Sequence, residues 1–153
     1  MIRTPVAVAL GSNLGDREAS LHTAARLMAA FIDDLRLSPF VDTDPVGVAP
    51  QPRFLNAAAV GTTTLRARAL LNRLLETESE CGRVRPAEGA PRTLDLDLIL
   101  FGDEVIDEPG LIVPHPRFRA REFVLAPLAA IAGEWRDPVT GTAVRELLAR
   151  ARS

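Results

Sequence analysis

The chain has 153 residues, 47% of them hydrophobic, which is one domain's worth (1–153) and ample for a single packed core. Its 18 basic and 20 acidic residues leave a net charge of −2, so no global basic field argues for nucleic acid or an anionic membrane as a partner. The lone Cys81 cannot form an intrachain disulfide, no leader with a cleavage site precedes the first strand, and the longest apolar run (27–32) is far short of the ~20 residues of a membrane span; a soluble, cytoplasmic protein is expected.

Val6 to Leu10 reads as a first strand that stops at Gly11-Ser12-Asn13-Leu14-Gly15-Asp16. Leu21, Ala24, Ala25, Met28 and Ile32 then recur at helical spacing. A second strand is expected over 35–41, followed by a loop through 43–52, where three prolines exclude regular pairing. Phe54 to Thr64 reads as a strand, and Leu65 to Glu80 as a helix with Leu70, Leu71, Leu74 and Leu75 as its apolar stripe and Gly82 as its stop. After a strand ending at Phe101, Gly102-Asp103 is expected to be a hairpin-type turn into Glu104-Val105-Ile106. Leu111 to Val113 makes a short strand before Pro114-His115-Pro116, and 123–132 and 143–151 read as helices. Strands and helices intermix without a strict βαβ rhythm, so the expected class is α+β, with one mostly antiparallel sheet covered by helices.

The chemistry concentrates in Pro91-Arg92-Thr93-Leu94-Asp95-Leu96-Asp97-Leu98-Ile99-Leu100-Phe101. Alternation puts Asp95 and Asp97 on one face, roughly 6–7 Å apart, and Leu94, Leu96 and Leu98 on the other. Two readings are open: the carboxylates end a strand in solvent, or they hold a hard divalent cation such as Mg²⁺ during transfer of a phosphorus group. Leu98 to Phe101 are apolar on both faces, as in a strand covered on both sides, which favours the second. Arg83, Arg85 and Arg92 flank one loop, and Arg117, Arg119 and Arg121 follow another; each alone suits a solvated surface, but together they suit an anion site. The glycine turn at 11–16 invites a phosphate-cradle reading, yet lacks the lysine of a Walker loop, and a capped tight turn is the better account. His115 between two prolines is either a rigid turn residue or a general base.

Four segments in this order, Gly11-Ser12-Asn13-Leu14-Gly15, Phe54-Leu55-Asn56-Ala57-Ala58, Pro91 to Asp97 and Val113-Pro114-His115-Pro116-Arg117, resemble the 6-hydroxymethyl-7,8-dihydropterin pyrophosphokinase family of folate biosynthesis. The resemblance covers nearly the whole length. It implies a ferredoxin-like α/β/α sandwich and transfer of the β,γ-diphosphate of ATP to the hydroxymethyl group of 6-hydroxymethyl-7,8-dihydropterin, with release of AMP. It further implies that Asp95 and Asp97 bind two Mg²⁺ ions, that Arg92 and Arg121 meet phosphate, and that Arg83 and Arg85 belong to a closing loop. His115 would hydrogen-bond to ATP phosphate or ribose, Glu78 would lie near the nucleotide, and Leu98 and Ile112 would touch adenine through backbone groups.

For the pterin, Thr43, Asp44 and Val46 match the family loop at the ring edge. Phe54, Asn56 and Phe123 fit a flat ring with a donor and acceptor edge, although both phenylalanines also suit core packing. The loop from Arg85 to Ala90 lacks the large aromatic residue of many relatives, and Gly110 and Pro116 stand where some members have arginine and tyrosine. A monomer with no second folate-enzyme domain is expected. A ferredoxin-like binding module without chemistry would need neither paired aspartates nor converging arginines, and another Asp-x-Asp enzyme, a nucleotidyltransferase or phosphohydrolase, would differ in its nucleotide product.

Overall fold

In the computed structural model, which describes residues 2–13, 16–43, 54–82 and 94–153, the small and branched residues of β1 (Thr4–Ser12) form the middle of the sheet. Val6, Val8 and Leu10 pack towards one pair of helices, α1 (Arg17–Met28) and α2 (Ala67–Gly82). Ala7 and Ala9 pack towards a second pair, α3 (Glu122–Ala132) and α4 (Val144–Ala151). The strand order is β2 (Asp33–Leu37), β4 (Phe54–Thr63), β1, β5 (Asp95–Phe101), all antiparallel, and β3 (Val41–Thr43) also pairs with β4. Helices on both faces of this sheet give the expected α/β/α sandwich of ferredoxin-like topology. No helix among the described residues is long and apolar enough to cross a membrane.

Local chemistry explains where the elements depart from expectation. The strand expected over 35–41 is instead β2 and β3, separated by Ser38-Pro39-Phe40. Pro39 has no N–H for a ladder, and Ser38 holds the break by donating from its N–H to the Ala58 carbonyl and accepting from the Ala58 N–H at its Oγ, both at 2.8 Å. The first helix ends at Met28, with its capping residue Asp16 accepting from the Ala19 N–H at 3.0 Å as the capped-turn reading requires. Ile32 lies beyond the helix but is still buried. In α2, Leu70 and Leu74 are fully buried, whereas Leu75 is 51% exposed and falls off the stripe.

Gly102 takes a positive φ of 55° and turns the chain, but β5 stays at the edge of the sheet and the next strand does not pair with it. The hairpin forms one step later, between β6 (Ile106–Glu108) and β7 (Leu111–Val113), around Gly110 at φ 75°. Trp135 packs against the α3–α4 core, as its place near the last helices suggests.

Candidate active site

Register brings the site together. Gly11 in β1 lies between Asn56 of β4 and Asp95 of β5, while Ala9 lies between Ala58 and Asp97. Val41 and Thr43 of β3 extend the array, facing Asn56 and Phe54. Asp95, Asp97 and Asn56 follow the alternation of Ala9, Ala58 and Ile99, which belong to the core under α3 and α4, so carboxylates and amide share that face. Leu94, Leu96 and Leu98 are buried in the opposite core. Asn56 is buried and both aspartates are half-buried.

Gly11 has a role that its place in a glycine turn conceals. It lies within β1, and a Cβ there would stand 3.1 Å from Asn56 Oδ1 and 3.9 Å from Phe54 Cδ1. The missing side chain is what lets the Asn56 amide oxygen lie against β1 at Gly11.

The outer edge of β5 is secured by two of the expected site residues. Glu78 on α2 accepts from the Leu96 N–H at 2.6 Å, so its carboxylate caps the backbone between the two aspartates. The His115 N–H donates to the Ile99 carbonyl at 3.1 Å, which seats the imidazole next to this strand. Burial pushes the His115 pKa down, Asp97 pulls it back, and Arg121 and Arg117 reinforce the lowering. The net lowering favours the neutral ring. Its Nδ1 accepts from the Arg117 N–H at 3.2 Å, which leaves the ring proton on Nε2 as a donor. A donating imidazole fits contact with phosphate or ribose oxygen and argues against the general-base reading.

Arg121 occupies the position preceding α3, with its guanidinium 5.7 Å from the centre of the Phe123 ring. Arg119 does not belong to the anion site expected of the 117–121 arginines: it forms a bidentate pair with the fully buried Asp137, which Thr140 and the Val139 N–H also bond. Leu98 is 5% exposed in the core away from the aspartates, whereas the Ile112 side chain is 49% exposed on the hairpin. Thr43 is placed by the β3 backbone. Asp44, Val46, Arg83, Arg85 and Arg92 lie outside the described residues.

Sequence reading missed the ion pair that ties α1 to β3. Both guanidinium nitrogens of Arg17 bond the Asp42 carboxylate, at 2.9 and 3.0 Å. Nothing in local periodicity signals it, since the partners belong to different elements. Among the described residues no group of three or more His, Cys, Asp or Glu side chains forms a closed metal cage. Two half-buried carboxylates on one face instead suit a hard cation that keeps water and phosphate oxygens in most of its coordination positions, which is the habit of Mg²⁺.

The profile of the 7,8-dihydro-6-hydroxymethylpterin-pyrophosphokinase family matches residues 7–133. The chain is 47% identical over 135 residues to the 2-amino-4-hydroxy-6-hydroxymethyldihydropteridine pyrophosphokinase of Bacillus subtilis, covering 87% of this chain and 81% of that one. It is 46% identical over 149 residues to the protein of the same name from Pseudomonas aeruginosa, covering 94% and 90%. Its fold is similar to that of wild-type Plasmodium falciparum HPPK-DHPS, with a TM-score of 0.80 at 13% identity over 97% of this chain and 45% of the longer one.

Proposed function

The chain belongs to the 7,8-dihydro-6-hydroxymethylpterin-pyrophosphokinase family of folate synthesis, and on that premise we propose how its residues divide the transfer of diphosphate from ATP to 6-hydroxymethyl-7,8-dihydropterin. The observation that carries the assignment is the row Asn56–Gly11–Asp95, which aligns an amide able to read a pterin edge with a carboxylate pair able to hold a cation.

Asp95 and Asp97 would hold two Mg²⁺ ions. When bound, these supply charge neutralisation between the triphosphate and the pterin hydroxyl. Glu78 keeps the aspartate-bearing backbone in place through the Leu96 N–H. His115 donates from Nε2 to a nucleotide oxygen, and Arg121 meets phosphate, joined by Arg83, Arg85 and Arg92. Leu98 and Ile112 act on adenine through their backbone groups alone. On the other side of Gly11, Asn56 both gives and takes hydrogen bonds at the pterin edge, Phe54 and Phe123 stack on the ring, and Thr43, Asp44 and Val46 border it. The chain's own contribution is thus positioning and preorganised charge, which a loose phosphoryl-type transition state needs more than covalent help. The reading takes the protein to act as a monomer.

Incubation with ATP, Mg²⁺ and 6-hydroxymethyl-7,8-dihydropterin, followed by identification of both products, tests the reading. AMP with pterin diphosphate supports it. Hydrolysis of ATP without pterin modification, or no turnover, overturns it.

A further inference from the structure

The Gly11-Ser12-Asn13 segment leaves two polar side chains unexplained. Ser12 is 1% and Asn13 4% exposed, yet neither Ser12 Oγ nor Asn13 Oδ1 has a hydrogen-bond partner among the described residues. Folding strips water from both atoms and returns no partner among the described residues, which proteins tolerate rarely and chiefly where a group serves a purpose other than stability. The two differ in position. Ser12 continues the Val8–Leu10 alternation towards the α1–α2 core. Asn13 follows Gly11 by two residues and comes just after the last β1–β4 pair, Ser12 with Leu55.

We propose that Asn13 is a pterin-binding residue whose side-chain carbonyl accepts a hydrogen bond from an N–H or O–H donor of the pterin. The inference rests on the pterin site proposed above. An orphan acceptor asks for a donor, and the triphosphate offers only acceptor oxygens. The pterin carries an exocyclic amine, ring N–H groups and a hydroxymethyl O–H. Asn13 directly follows β1, whose Gly11 pairs with Asn56 on one side and Asp95 on the other; a Cβ at Gly11 would meet Asn56 and Phe54. Because the acceptor is already desolvated in the free protein, pterin gains the hydrogen bond without a further dehydration cost on the protein side.

Asn13→Leu, close to isosteric and apolar, separates this from a structural role. The expected result is a melting temperature no lower than the parent's, pterin dissociation constant raised roughly tenfold or more in a fluorescence titration, and an unchanged KM for ATP. Ser12→Ala, which removes the other orphan atom, should melt no lower and bind pterin normally. Asn13→Ala repeats the test should leucine not be accommodated. Pterin binding at the parent's affinity in either folded Asn13 variant overturns the proposal, as does loss of folding in both, which would make Asn13 a structural residue. A parent protein that neither binds pterin nor forms AMP defeats the earlier reading instead, whereas an active parent with indifferent Asn13 variants defeats only this one.

Discussion

Replacing Gly11 by alanine should weaken pterin binding with little effect on the fold. The new methyl would stand 3.1 Å from Asn56 Oδ1 where ordinary contact begins near 3.4 Å, so the amide must retreat by about 0.3 Å, while Phe54 at 3.9 Å need not move. Gly11 is not at positive φ, so the backbone accepts alanine without strain. Lost freedom of the unfolded chain then favours the variant by about 0.4–1 kcal/mol, and crowding a buried amide costs about 1–3 kcal/mol. The balance leaves the melting temperature within several degrees of the parent's. Pterin affinity is more sensitive. An amide that gives and takes hydrogen bonds worth about 0.5–1.5 kcal/mol each loses alignment in both, or about 1–3 kcal/mol, which is roughly a 5- to 150-fold rise in the dissociation constant. Fluorescence titration of pterin alongside a thermal melt measures both quantities. A folded Gly11→Ala protein that binds pterin as the parent does refutes the claim that Asn56 reads the ring from across Gly11.

Asp95→Asn and Asp97→Asn should each abolish most Mg²⁺-dependent turnover while the melting temperature holds or rises, because two like charges on one face no longer repel; wild-type rates in either variant would refute the metal assignment. Exchanging the charges of Arg17 and Asp42 should restore a pterin KM that each single reversal raises by about two- to fivefold, since the pair anchors the strand leading into the pterin-edge loop; a KM that ignores both reversals refutes the anchoring. For Asp137, burial alone would raise the pKa, but the bonds from Arg119, Thr140 and Val139 and the Arg119 charge outweigh it and hold the carboxyl below its usual value. Its stabilisation is therefore complete above about pH 4 and lost as pH falls through the lower folded-state value. Melts recorded against pH should show Asp137→Asn less stable at neutrality and flatter in acid, and parallel profiles would refute the linkage.

What was legible in the sequence was whatever depends on short-range period. Asp95 and Asp97 share a face because strand alternation is local, and α1 and α2 announce themselves through Leu21, Met28, Leu70 and Leu74. The site itself depends on register between strands distant in the chain, so the row through Asn56, Gly11 and Asp95 was not readable from any one segment. Resemblance supplied the names of its members but not their arrangement. Nothing in the sequence around Glu78 signals its bond to the Leu96 N–H, which only the docking of α2 on β5 reveals. Arg119 looked like its neighbours Arg117 and Arg121 because its partner Asp137 belongs to a later turn. Pro39 was a visible signal for the break between β2 and β3: a residue without an N–H cannot extend a ladder.

That break divides the partner of β4 into two cooperative units of unequal strength. β2 and β3 pair with different stretches of β4, Ala59 to Thr62 and Phe54 to Asn56, so one can detach without carrying the other with it. A three-residue strand at the sheet's margin has few ladder bonds to lose, whereas β1 is paired on both sides from Val6 to Gly11. Amide exchange at Val41 to Thr43 would then proceed through small local openings, while the amides of Val6 to Leu10 wait for global unfolding. The protein can in this way keep a rigid floor under its carboxylates and, along the same sheet, a margin that opens locally beside the proposed pterin site.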